Sequence, residues 1–281
     1  NTFLNTGYLI LISLFAVNYK TLSMIRGEPY ILFFLSLFLL VIFKAEKNHF
    51  HFNFKFIFSA GVIIACIALS RQWGFFLFIP LIYLLFFQKP KKQYFLFWLY
   101  SSFLGALFSS WFYIGLYRKY GSFTAFNMQS ESFSFANQTR QFYIPSFNNF
   151  QYLFTKPIRP NLDNQFFSIL YSDVWGDYWG YFVFTSRFID IGRNQELIGD
   201  YLARVNLVSF FTSMLIISFC FIVFQKYKSN FIIKYLNYSI IFSLLGYLLF
   251  TINYPTTSGD TIKATYIIQA FHLMAFMASI Y

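Results

Sequence analysis

Between Phe166 and Phe188 the chain reads FFSILYSDVWGDYWGYFVFTSRF, and its two acids, Asp173 and Asp177, alternate with Trp175 and Trp179 around Gly176 and Gly180. On a helix Asp173 and Asp177 share a face at i and i+4; on an extended strand Asp173, Trp175, Asp177 and Trp179 share one. Either arrangement brings the carboxylates together. Such a pair could hold a divalent cation against a phosphate or diphosphate, or accept hydrogen bonds from sugar hydroxyls, and flat indoles suit the apolar face of a pyranose. The same composition also fits an interfacial aromatic belt carrying two solvated acids. The residues alone leave both readings open.

Arg71 falls between two apolar runs, where an unpaired cation is costly and is usually interfacial, paired or functional. It could bind a lipid phosphate bidentately or snorkel to headgroups. In TTSGDTIKATY, just before the last apolar run, Lys263 and Tyr266 stand three residues apart and could face one cavity once a helix has begun. A cation on the outer side of a span runs against the positive-inside trend, so a phosphate partner for Lys263 stands beside simple anchoring. Glu28, in RGEPY, has Arg26 beside it and reads as half of a helix-end salt bridge. His49, His51 and His272 show no spacing that would hold zinc. No P-loop or nucleophile elbow is present, and no catalytic residue is assigned.

The elements that must position these residues are membrane spans. With 58% hydrophobic and 11% charged residues, apolar runs of near-bilayer length recur along the chain, which predicts an all-α polytopic membrane protein. Eight spans are expected, at about 7–25, 30–43, 56–70, 73–87, 94–114, 202–224, 231–252 and 262–281. The run 56–87 is too long for one straight span and either divides at Arg71, Gln72 and Gly74 into two short helices joined by a tight turn or forms one very tilted or broken helix. Lysines 44, 47, 55, 89, 91, 92, 226, 228 and 234 then fall on one side, which makes it cytoplasmic. This leaves a single long extracytoplasmic segment at about 117–201, its first half partly irregular and its second half packed on the bilayer surface. The net charge of +11 is accounted for by those cytoplasmic lysines, so nucleic acid is not an expected partner. Abundant Phe, Ile, Asn and Lys also match an AT-rich codon bias, which discounts aromatic abundance by itself.

In order, SRQWGFFLFIP, the outer YSDVWGDYWGYF, IGDYLARVNLVSFF entering a span, and GDTIKATYIIQ before the last helix resemble the polytopic GT-C glycosyltransferases. Among these the chain is most similar to the bacterial enzymes grouped with protein mannosyltransferases and aminoarabinose transferases. The resemblance implies transfer of a sugar from a polyprenyl-phosphate donor to a lipid or glycan acceptor on the outer face of a bacterial inner membrane, with or without a divalent cation. It also implies a catalytic acid in an outer loop after the first span. The chain begins at Asn1 without Met, so it is expected to lack that N-terminal part; neither Glu28 nor Asp173 matches the position. Carried over are Arg71 and Lys263, with Tyr266 beside it, as phosphate-side contacts, and Asp173, Trp175, Asp177 and Trp179 as sugar or acceptor contacts. The alternatives are a transporter or flippase for a lipid-linked or small polar substrate, an O-antigen-type polymerase or ligase, and a purely structural membrane protein.

Overall fold

The computed structural model describes residues 2–23, 27–86, 91–123, 131–157, 161–179, 191–257 and 259–281. Arg26, Gly180 and the 181–188 end of the acid-and-aromatic stretch lie outside them. Among the described residues every regular element is helical. In chain order they are α1 (Thr2–Leu14), α2 (Ala16–Ser23), α3 (Glu28–Lys47), α4 (Phe54–Ser70), a 3-10 stretch Gln72–Leu77, α5 (Ile79–Leu84) and α6 (Lys91–Tyr120). The long segment contributes α7 (Arg140–Tyr143), α8 (Phe147–Thr155) and α9 (Phe166–Trp175). The chain closes with α10 (Ile191–Lys226), α11 (Phe231–Asn253), a 3-10 turn Ala264–Ile267 and α12 (Ile268–Ile280).

Among the described residues, four stretches are long and apolar enough to cross a membrane: Glu28–Lys47, Lys92–Tyr120, Gly199–Lys226 and Phe231–Asn253. About 20 helical residues are needed for a hydrocarbon core some 30 Å thick. The pair α1–α2 passes only when taken together, and Phe54–Ser70, Gln72–Leu84 and Ala264–Ile280 are apolar but shorter. Large apolar side chains line the outer faces of these helices: Val208, Phe211, Leu215 and Phe221 on α10, and Phe103, Leu107 and Trp111 on α6, are all exposed. Water penalises such faces and acyl chains do not.

The chain divides into two compact units. The first comprises Asn1–Arg26, Ser130–Val223 and Leu244–Tyr281. Here the expected first span, 7–25, is broken: α1 and α2 meet at Phe15 with a bend of 74°. No Pro or Gly lies at the break; instead Asn18 Nδ2 donates to the Ile12 carbonyl at 2.6 Å and the Tyr19 hydroxyl to the Ser13 carbonyl at 2.9 Å. Side chains inserted into the helical ladder are a recognised cause of sharp kinks. α1 packs along α12, where the His272 ring bridges the Tyr8 hydroxyl at 2.8 Å and the Asn18 side-chain oxygen at 2.9 Å.

The second unit, Gly27–Gln129 and Phe224–Ser243, is built on α4 packed between α3 and α6. The Ser101 hydroxyl donates to the Ile57 carbonyl at 3.3 Å and the Tyr113 hydroxyl to the Ala68 carbonyl at 2.7 Å. The expected division of the 56–87 run falls at Arg71, whose extended backbone (φ −164°, ψ 149°) ends α4. Beyond Arg71 the chain continues as a 3-10 stretch and one short α-helix rather than a full α-helical span. Buried Tyr94 and Tyr235 donate to the carbonyls of Leu81 and Leu77, which ties this irregular stretch to its neighbours.

Candidate functional site

The site grows from α9. FFSILYSDVW carries neither Gly nor Pro and forms a helix nearly all of whose residues are buried, Phe167 being the exposed exception. Its end is set by Gly176 in an extended conformation (φ −124°, ψ −170°). A Cβ there would run into the Leu202 side chain, which would have to shift to admit it. Asp173 is therefore helical while Asp177 lies beyond the helix end, and the acids do not meet through an i, i+4 helical face. α9 is clamped by polar contacts: Asn206 Nδ2 donates to Ser172 Oγ and to the Leu153 carbonyl, both at 2.8 Å, and the Tyr171 hydroxyl reaches the Asn206 carbonyl at 2.7 Å.

What brings the two acids together is Lys20 of α2. Its ammonium forms an ion pair with Asp173 Oδ1, reaches the Asp173 carbonyl at 3.3 Å, and lies 3.9 Å from Asp177 Oδ1. The other Asp173 oxygen accepts the Ala264 N–H at 2.7 Å. Lys20, Asp173 and Asp177 are 1%, 0% and 3% exposed, so the cluster is closed to water. Burial pushes the Asp173 carboxyl above the ordinary aspartate range, while Lys20 and the Ala264 N–H pull it the other way. A divalent cation held by these two carboxylates would have to displace the Lys20 ammonium that already stands between them.

The indoles are equally buried. Trp175 packs edge-on against Phe15 with centroids 5.0 Å apart, and Trp179 Nε1 donates to the Ile262 carbonyl at 2.8 Å. Lys263 Nζ lies 5.9 Å from the Trp179 ring centroid, a cation–π distance. Lys263 is the last extended residue before the 3-10 turn, and Tyr266 is half-buried within that turn, its backbone N–H bonded to the Lys263 carbonyl at 3.1 Å. The buried Tyr247 hydroxyl accepts the Lys263 N–H and stands against the carbonyls of Thr261 and Lys263 at 2.7 and 3.1 Å. Asp173, Trp175, Asp177, Trp179, Lys263 and Tyr266 thus lie in one unit.

Beside the cluster is an apolar cavity of about 240 Å³, lined among others by Phe15, Leu170, Val174, Trp175, Ile216 and Phe271. Val174 and Trp175 line it while Asp173, next to them in sequence, turns to Lys20. One helix end therefore presents an apolar hollow and an ionic cluster side by side.

Arg71 lies in the other unit. Its Nε stands 3.4 Å from Glu28 Oε1; Arg71 is 46% exposed while Glu28 is fully buried. The expected partner of Glu28, Arg26, is outside the described residues; among the described residues the cation that faces Glu28 is Arg71.

Lys20 is the member of the cluster that residue types and spacing do not single out. The only signal for it is a lone cation within an otherwise apolar run, 7–25, which demands a partner. That partner, Asp173, lies 153 residues away, beyond the reach of any spacing rule. No known protein family, curated protein or solved structure matches this chain.

Proposed function

We propose that this chain is a membrane glycosyltransferase that moves a sugar from a polyprenyl-phosphate donor to an acceptor on the extracytoplasmic face of a bacterial inner membrane. In this reading the eight apolar runs cross the bilayer and the segment of about 117–201 lies outside, with Asp173, Trp175, Asp177 and Trp179 forming the sugar-side wall and Lys263 with Tyr266 the phosphate side. Arg71, in its own unit, is a separate anion contact. The observation that carries the proposal is the apolar cavity of about 240 Å³ beside a charged, aromatic helix end. A lipid-linked sugar needs both: an apolar place for the start of its chain and fixed charge near its phosphate. As the phosphate leaves, cationic groups would stabilise the developing charge, and they act more strongly where water is excluded.

The test uses the purified protein in nanodiscs with an undecaprenyl-phosphate-linked sugar. Saturable quenching of tryptophan fluorescence is expected, and Val174→Trp, which fills the cavity, should weaken binding at least tenfold. Absence of binding, or binding indifferent to Val174→Trp, would sink the proposal. Movement of a labelled lipid between leaflets without transfer would favour the transporter alternative.

A further inference from the structure

A second cavity, of about 280 Å³, lies at the opposite end of α9, and its chemistry differs. Its walls carry Gln138, Thr139, Gln141, Asn164 and Thr256, with the exposed carboxylate of Asp163. These are amides and hydroxyls, which donate and accept hydrogen bonds alike. Among the described residues no cation lines it, so these walls offer little to a phosphate.

The walls are held in place. Gln138 Nε2 donates to the Thr251 carbonyl at 2.7 Å, and Gln138 Oε1 accepts from Asn164 Nδ2 at 2.7 Å. Asn164 takes a left-handed backbone conformation (φ 45°), which asparagine tolerates better than most residues. Gly259 (φ 70°) packs against it; a Cβ there would lie 3.2 Å from Asn164 Cα and 2.8 Å from Ile169 Cδ1. The turn before α9 and the turn before α12 are thereby fixed against each other. Within these walls Asn164 Oδ1 and Thr256 Oγ1 are buried and have no hydrogen-bond partner among the described residues. Buried polar atoms in a native fold are rarely left so, and in a cavity wall they point to an occupant that supplies the missing bonds.

We propose that this cavity is a binding subsite for a neutral, polyhydroxylated ligand, one sugar ring of a glycoside. Sugar hydroxyls match walls that donate and accept in turn, Asp163 can accept from one of them, and the volume is just below the range of about 300–1,000 Å³ typical of pockets for larger ligands. Binding at this subsite is independent of glycosyl transfer and is read without turnover.

The experiment is saturation-transfer NMR on the full chain in nanodiscs, with methyl glycosides of neutral hexoses and N-acetylhexosamines as probes. At least one glycoside is expected to receive saturation. Thr256→Val should lower its affinity at least fivefold with an unchanged melting temperature, because the hydroxyl loses no partner among the described residues. Asn164→Gly, which keeps the left-handed backbone available, should lower it as well. The proposal is overturned if no glycoside binds the wild-type protein, the cavity then holding water only. It is equally overturned if Thr256→Val binds as wild type does, or if only phosphorylated sugars bind. The undecaprenyl-phosphate measurement on Val174→Trp reads the other cavity, so either result can fail without the other.

Discussion

Two of the buried carboxylates that face cations, Asp173 and Glu28, are solved in opposite ways. Asp173 is met by Lys20 and by the Ala264 N–H, and both ends of its ion pair are inaccessible. Glu28 is as deeply buried, yet neither of its oxygens has a hydrogen-bond partner among the described residues, and the Arg71 that faces it is half in solvent. A buried charge pair stabilises little against an apolar replacement, but losing one partner is expensive because the other is stranded. The Lys20–Asp173 pair therefore acts as a lock joining α2, α9 and the turn before α12, whereas Glu28–Arg71 leaves its cation able to meet something else.

The largest effect should come from breaking the lock. Lys20→Met strands Asp173 and should cost about 3–5 kcal/mol, while Asp173→Asn leaves Lys20 the more distant Asp177 carboxylate at 3.9 Å and should cost less, both read from denaturant or thermal unfolding in nanodiscs. The double change Lys20→Met with Asp173→Leu should recover part of that loss, since apolar side chains of similar volume suit such a site while Asp177 loses the same ammonium. Single variants as stable as wild type would show that the pair locks nothing. Loss of transfer in Asp173→Asn would, for the same reason, need a stability measurement beside it before it could count as loss of a substrate contact.

The double role open to Asp173 marks how far the sequence alone reaches. The helices arise from apolar runs, and the break at Arg71 is legible because Arg, Gln and Gly interrupt one run within four positions. The Asp173 stretch stands out as acids among aromatics, but whether those acids face a ligand or a lysine depends on Lys20, which only folding brings near. The bend at Phe15 is hidden because it arises from the side chains of Asn18 and Tyr19 rather than from Pro or Gly. The polar cavity is hidden for another reason: Gln138, Asn164 and Thr256 belong to Asn-, Gln- and Thr-rich stretches that read as irregular loop, and nothing local indicates that they converge.

In the open pair the two partners should respond unequally. Arg71→Gln removes the only cation facing Glu28 among the described residues; with Arg71 half exposed and screened, the cost should be about 1–2 kcal/mol. Glu28→Gln removes a buried charge that makes no hydrogen bond to the described residues, so it should be neutral or stabilising by up to about 1 kcal/mol. Equal losses from both variants, measured by the same unfolding experiment, would mean that Glu28–Arg71 is a lock like the other, and the contrast would fail.

The smallest effect is a dependence on pH, and its sign is set by burial. The Asp173 carboxyl lies above its ordinary value of 3.8, raised by desolvation against the pull of Lys20 and the Ala264 N–H. The folded state therefore holds this proton more tightly than the unfolded chain does. The contribution to stability is complete below the ordinary aspartate value and is lost as pH rises through the raised one. Asp177, with its carboxylate 3.9 Å from the same ammonium, works in the same direction by adding negative charge near Asp173. Unfolding measured across that range should show stability declining as pH increases, and the decline should vanish in the Lys20→Met, Asp173→Leu protein, which keeps every other titrating group. An undiminished decline in the double variant would assign it to other carboxyls and leave the Asp173 lock insensitive to pH.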